Sequence, residues 1–485
     1  MSATAILICL VLYFVALMTV SYITSRNSNN EGFFLANRKS PWYLIAFGMI
    51  GSSISGVTFI SVPGMVNASS FSYFQVVLGY IIGYWVIAWV LLPVFYKLQL
   101  TSIYTYLKER FGIHGYKTGA VFFLISRIIG ASFRLYVAVE VLQISIFNQW
   151  HIPFIVNAIV LVGLIWLYTR KGGMKTIIWT DALQTFFLLA ALVGSIYIIS
   201  QTLHLDIGGL AKSIAGSPYS KIFNWDFNSK QYFFKQFISG IFIAIAMTGL
   251  DQDMMQKNLT CKTLGESQKN IFSFSIVQTI VVFMFLVLGV LLYSYASSIH
   301  LTLPTKSDDL YPILATGGYL GNTVAFLFVM GLTAASFASA DSALTALTTS
   351  FCVDILNIAQ EEKTKQVKTR QWVHIGMALV LIAVIIIYQI INNSAIVNAV
   401  FTVAGYTYGP LLGLYAFGLL TKTKANDSWI PYVCVAAPVL CFFANQFSAQ
   451  LLNGYKFGFE LLILNALLTF TGLLLSSASL RPKQV

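Results

Sequence analysis

Two short stretches of the chain place hydroxyls, glycines and carboxylates inside otherwise apolar surroundings. The first is Gly51-Ser52-Ser53-Ile54-Ser55-Gly56-Val57-Thr58, which carries two glycines and four hydroxyl residues. Glycine costs a helix about 1 kcal/mol relative to alanine, and serine competes for backbone groups, so this run predicts a broken helix. Carbonyls freed at a break are hard oxygen ligands for a small cation, although close packing of small residues between helices accounts for the same composition. The second stretch is Ala334 to Thr345 (AASFASADSALT), in which Ser339 and Ser342 share a helix face with Ala335, and Asp341 sits on the adjoining face. Asp181, in Ile178-Trp179-Thr180-Asp181-Ala182-Leu183-Gln184, is a third carboxylate feature in an apolar run. Each carboxylate reads either as a cation ligand or as a hydrogen-bonded helix-end group. Arg127 and Arg134, seven residues apart on one helix face with Glu140 six further on, suit either an anionic ligand or an internal ion pair. Asp251, Gln252, Asp253 and Gln256 read as the solvated inner end of a helix. The five histidines form no zinc spacing, and no P-loop or G-x-S-x-G elbow is present, so ATP-driven pumping and serine hydrolysis lack support.

The elements that must position these groups follow from composition. Of 485 residues, 57% are hydrophobic and only 9% are charged, and the mean hydropathy is +0.77. An ordinary soluble protein is about 25% charged, so the chain is an all-α polytopic membrane protein rather than a water-soluble assembly. Apolar runs able to cross about 30 Å of hydrocarbon, roughly 20 residues each, fall near 4–24, 41–64, 72–97, 118–147, 152–169, 175–201, 233–256, 270–298, 320–352, 371–391, 395–420, 427–446 and 457–479. Their length and lack of alternation predict about thirteen helices and not barrel strands. A carboxylate inside such a span costs several kcal/mol unless it is paired, protonated or bound to a cation.

The basic residues orient the spans. With the N-terminus outside, 21 of the 29 Lys and Arg, Lys257 among them, fall on the inner side, 6 fall outside, and Arg127 and Arg134 lie within a span. This bias predicts a cytoplasmic C-terminus in the cell membrane, and it makes the +12 net charge an orientation signal rather than evidence for nucleic acid. The first run has no basic n-region or cleavage site and reads as a retained helix. The outer segment 202–232 is too short for an independent domain. Five scattered cysteines give no disulfide framework.

At these residues the sequence resembles the sodium/solute symporter family, closest in pattern to the sodium-coupled sialic acid and sugar symporters. The resemblance covers about residues 1–480 and rests on Gly51 to Pro63 (GSSISGVTFISVP), Gly172-Gly173 with Trp179 to Gln184, Asp251 to Lys257 (DQDMMQK) and Phe337 to Leu344 (FASADSAL). It implies a LeuT-type core of two inverted five-helix repeats, 41–201 and 233–420, separated by the outer loop 202–232, preceded by an extra helix and loop (1–40) and followed by two helices and a tail (421–485). It also implies a first sodium ion held by the carbonyls of Gly51, Ile54 and Ala335 and the hydroxyl of Ser339, where relatives offer a second hydroxyl and this chain has Ala338. Groups matching Asp181, Asp341 and Ser342 imply a second sodium. Ser53, Ser55, Thr58, Tyr73 and Arg127 match the solute pocket of the sialic acid transporters, with Arg127 meeting the carboxylate, whereas the pocket glutamine of those proteins aligns with Val77.

The function expected is sodium-coupled import of a small organic anion, a sugar acid such as sialic acid or another carboxylate, by alternating access in a lipid bilayer. A neutral sugar or amino acid is the alternative solute. The third span, with no charge between residues 72 and 96, argues against the sugar. A solute-sensing receptor is the less expected reading, since such proteins usually carry a long cytoplasmic output domain and this tail ends at Pro482-Lys483-Gln484-Val485, six residues beyond the last span. No enzymatic activity is expected. The sequence gives no reading of the oligomeric state.

Overall fold

The computed structural model describes residues 3–26, 29–391, 396–452, 454–455 and 457–478. Lys456, Arg481 and Lys483 of the basic census, and the tail Pro482 to Val485, lie outside the described residues. Helix dominates throughout, and the extended pairing among the described residues is a single bridge between Ser40 and Cys261. Nine described helices are long and apolar enough to cross a membrane, or eleven when each of two bent pairs is taken as one span. Two shorter apolar helices fall where the fifth and thirteenth runs were read.

In chain order the helices that frame the sites are α1 (Ala3–Thr24), α2 (Trp42–Ser53), α3 (Gly56–Gly64), α4 (Tyr73–Val86), α5 (Ile113–Ser145), α6 (Phe154–Thr169) and α7 (Met174–Thr202). After the 202–232 segment come α8 (Phe233–Ala244), α9 (Gln252–Asn258), α10 (Leu264–Ser298), α11 (Gly321–Ser350), α12 (Lys363–Ile391), α13 (Ile396–Leu420), α14 (Ile430–Gln446) and α15 (Leu461–Ala478).

The expected break is present: α2 and α3 meet at 60°, because Ile54 leaves helical geometry at φ −87°, ψ 88° and Ser55 is extended. Gly56 is required there by close approach, since a Cβ on it would lie 2.1 Å from the Ser336 hydroxyl of α11. Gly51 is equally confined, with a Cβ falling 2.4 Å from the Thr185 hydroxyl of α7.

A second break was not expected. The seventh run, read as one span closing in solvent, instead turns by 71° between Gly249 and Gln252. A wide π turn over Ile245–Gly249 precedes it, and Asp251, extended at φ −104°, caps α9 by accepting from the Asp253 N–H at 2.8 Å. An aspartate N-cap starts a new helix rather than ending an old one, which is why the polar cluster turns back into the protein. Asp251, Gln252, Asp253 and Gln256 are therefore fully buried and not solvated.

α7 and α11 run against each other, α2 lies on α7, and α5 packs on both α11 and α13. α11 is the most enclosed helix, with 83% of its apolar window buried against 33% for α1. The two broken helices and α11 thus hold the polar stretches away from lipid.

Candidate ion and solute sites

The hydroxyls at the first break face a cavity of about 100 Å³. Ser53, Ser55 and Thr58 come from the break, Tyr73 from α4, and Arg127 and Arg134 from α5, so every solute residue expected from the sequence lines one space. Apolar walls from Val57, Met65, Ile243, Met247 and Val282 complete it. Val77 is buried and does not line it. A larger vestibule of about 720 Å³ adjoins it through Met65, Tyr73, Ile243 and Met247, and reaches Lys230 and Gln231 at the end of the 202–232 segment and Gln236 of α8.

The two arginines differ in their partners. Arg127, 4% exposed, forms ion pairs with Asp253 and, at 3.5 Å, with Asp251, both at the second break. The Tyr408 hydroxyl of α13 also donates to Asp251. Two carboxylates thus engage the Arg127 guanidinium before any ligand arrives. Arg134, one seam further along α5, forms no ion pair or hydrogen bond among the described residues, and its guanidinium lines the cavity.

Beside the break lie the groups implied for a first sodium. The last carbonyls of a helix have no intrahelical donor, and Gly51 and Ile54 stand where α2 ends. Across from them α11 presents Ala335 and Ser339, both buried. The Ser339 hydroxyl donates to the Ser336 carbonyl at 3.0 Å, and the Ser336 hydroxyl, facing Gly56, has no partner. An uncharged cradle of carbonyls and hydroxyls suits a small monovalent ion.

Asp181 stands between the two broken helices, in contact with Ser52 of α2 and Lys257 of α9, and Asp341 belongs to α11. Lys257, counted above as an inner-loop cation, is in fact 1% exposed, and its ammonium donates to Asp181 at 2.7 Å and to Ser52. Ser52 itself donates to Asp181 at 2.9 Å. Asp341 accepts from the Tyr168 hydroxyl at 2.7 Å, from the Gln184 amide at 3.4 Å and from the Ser342 N–H at 2.6 Å. Arg370, also in the inner count, is buried, with its guanidinium over Phe33 and bonded to Asn30 at 2.8 Å.

Residues 33–428 match the sodium:solute symporter family. The chain belongs to that family. It is a sodium-coupled symporter and not an enzyme, and it is a multi-pass membrane protein whose partners are sodium and a small solute. Among its relatives, the sodium/sialic acid symporter NanT of Aliivibrio fischeri is 25% identical over 465 residues, covering 89% of this chain and 86% of that protein. The human sodium-coupled monocarboxylate transporter 1 is 27% identical over 414 residues, 81% of this chain, which spans only 64% of the human protein. The solved structure of a Na+-coupled sialic acid symporter in a substrate-bound outward-open state superimposes with a TM-score of 0.83 at 18% identity, covering 100% of this chain and 99% of that one. The nucleobase-cation-symport-1 transporter Mhp1, in a closed conformation, gives a TM-score of 0.57 at 15% identity over 92% of this chain and 95% of that one. Both likenesses establish the LeuT-type fold.

In this symporter the sequence missed Lys257 and the Asp251/Asp253 pair. Polar residues at the edge of an apolar run read as a helix leaving the membrane. The one available signal was Asp251 as an N-cap after the apolar α8, with a short polar helix following it.

Proposed function

We propose that this symporter imports a small organic anion whose carboxylate meets Arg134. One observation carries the reading: of the two arginines on the cavity wall, Arg127 is neutralised by Asp251 and Asp253, while Arg134 forms no ion pair among the described residues. A half-buried guanidinium without a counter-ion is available to a ligand that supplies the charge, and its planar fork suits a carboxylate. Ser53, Ser55, Thr58 and Tyr73 then offer hydroxyls to the remainder of the solute. The relatives support an acid, since one is named for sialic acid and another for monocarboxylates. A cavity of about 100 Å³ with apolar walls favours a short monocarboxylate over a sugar acid as the second reading.

Sodium would bind at Gly51, Ile54, Ala335 and Ser339, and a second sodium at the Asp181, Asp341 and Ser342 cluster. Binding at the first break braces α2 and α3 against α11 and so favours the state open toward the vestibule; the solute completes it, and the site then opens at the opposite end. Coupling requires each cargo to favour the other's bound state by about 1–3 kcal/mol. The reading includes thirteen spans, an outer 202–232 segment, an external N-terminus and a cytoplasmic C-terminus. It takes 41–201 and 233–420 as the inverted repeats, supported by the fact that each begins with a bent helix pair.

The test is uptake into proteoliposomes under an imposed sodium gradient, comparing labelled sialic acid with a short monocarboxylate. Arg134→Ala is expected to abolish uptake of the transported acid while sodium-dependent thermal stabilisation persists. Undiminished uptake by that variant would overturn the assignment.

A further inference from the structure

The cluster around Asp341 lies outside the solute cavity and draws side chains from five helices. Asp181 and Gln184 come from α7, Tyr168 from α6, Lys257 from α9, and Tyr13 from α1, the helix that precedes the ten-helix core. Tyr13 is 3% exposed and is fixed by aromatic contacts with Phe187 of α7 and Phe337 of α11 at 5.5 and 6.5 Å. Its hydroxyl lies beside Gln184, in the field of both Asp341 and Asp181.

Charge and hydrogen bonding divide the two carboxylates. Lys257 and Ser52 both occupy one oxygen of Asp181, so this carboxylate already has a fixed counter-ion. Asp341 receives only neutral donors, from Tyr168, Gln184 and Ser342. Two carboxylates and one ammonium leave the cluster with one negative charge in excess. Around it the Tyr13 hydroxyl, the Gln184 side-chain carbonyl oxygen and the second oxygen of Asp181 are all buried without a hydrogen-bond partner among the described residues. Buried oxygens are seldom left without partners, and a group of them beside an uncompensated carboxylate is a hard-oxygen cage for a monovalent cation.

We propose that the second cation binds at Asp341, with the Gln184 carbonyl and the Tyr13 hydroxyl as further ligands, and that Lys257 rather than a metal ion balances Asp181. This inference rests on the two-sodium reading above and corrects its ligand set. It gives α1 a part in ion binding.

Sodium-dependent thermal stabilisation of the purified full chain in detergent tests it, with the sodium-free melting temperature as a fold control. Asp341→Asn is expected to reduce the Hill slope of the sodium titration to one. Tyr13→Phe, which keeps the ring contacts, is expected to raise the half-saturating sodium concentration about tenfold, the scale of a lost supporting ligand. Asp181→Asn/Lys257→Gln, which removes the pair together, is expected to keep the wild-type slope. The cage is overturned if Tyr13→Phe and Asp341→Asn both titrate as wild type, and the role of Lys257 if the double variant loses the second ion as Asp341→Asn does. A wild-type slope of one overturns the two-sodium reading itself.

Discussion

Arg127 and Arg134 are chemically identical and seven residues apart, yet their neighbours give them opposite roles. Removing one partner of a buried ion pair leaves an uncompensated charge and costs about 3–5 kcal/mol. Arg127→Ala strands Asp253 and Asp251 and is expected to lower the melting temperature sharply in detergent without solute. Arg134→Ala removes a charge that has no ion-pair partner among the described residues, and is expected to leave that temperature unchanged or raised. Equal destabilisation by the two variants would contradict the division. The sequence showed both arginines on one face and the Ser53, Ser55 and Thr58 hydroxyls, because seven-residue spacing and clustered polarity are local properties, but it did not single out Tyr80, Tyr84 and Thr248, which also line the cavity. It did not show which arginine was paired, because Asp251 and Asp253 lie more than 100 residues away along the chain, beyond a turn that no hydropathy window resolves.

At the scale of elements, two broken helices create the site. The first break was legible from Gly51 to Thr58, where glycine and serine weaken the helix locally. The second was hidden, since Ile245 to Gly249 is an unremarkable apolar segment and the turn depends on Asp251 capping α9 inside the protein. The contact between Gly56 and α11 makes the first break testable. In Gly56→Ala the new methyl group meets the Ser336 hydroxyl, and alanine also favours straight helix by about 1 kcal/mol. Sodium-driven uptake is expected to fall at least tenfold and to recover in part in Gly56→Ala/Ser336→Ala. Full uptake by the single variant would show that the close approach is dispensable.

For the whole molecule, composition and the basic bias carried most of the reading, and the bias survives the loss of the buried Lys257 and Arg370 from its inner side. The orientation is checked by single-cysteine labelling. Four of the five native cysteines are buried, so a Cys9→Ser background is nearly silent to a membrane-impermeant thiol reagent. Asn228→Cys, in the exposed 202–232 segment, is expected to react in intact cells, and Lys424→Cys only after permeabilisation. The reverse pattern would invert the topology. The unequal pair of cavities has a consequence for selectivity. A solute crosses a wide vestibule still hydrated and must then shed most of its water to enter a space about one-seventh as large. Only a group that exchanges its hydration shell for charge recovers that loss, and on this wall the charge is Arg134. On the proposed reading dehydration is therefore a filter, because an anion recovers from Arg134 what it loses in shedding its water.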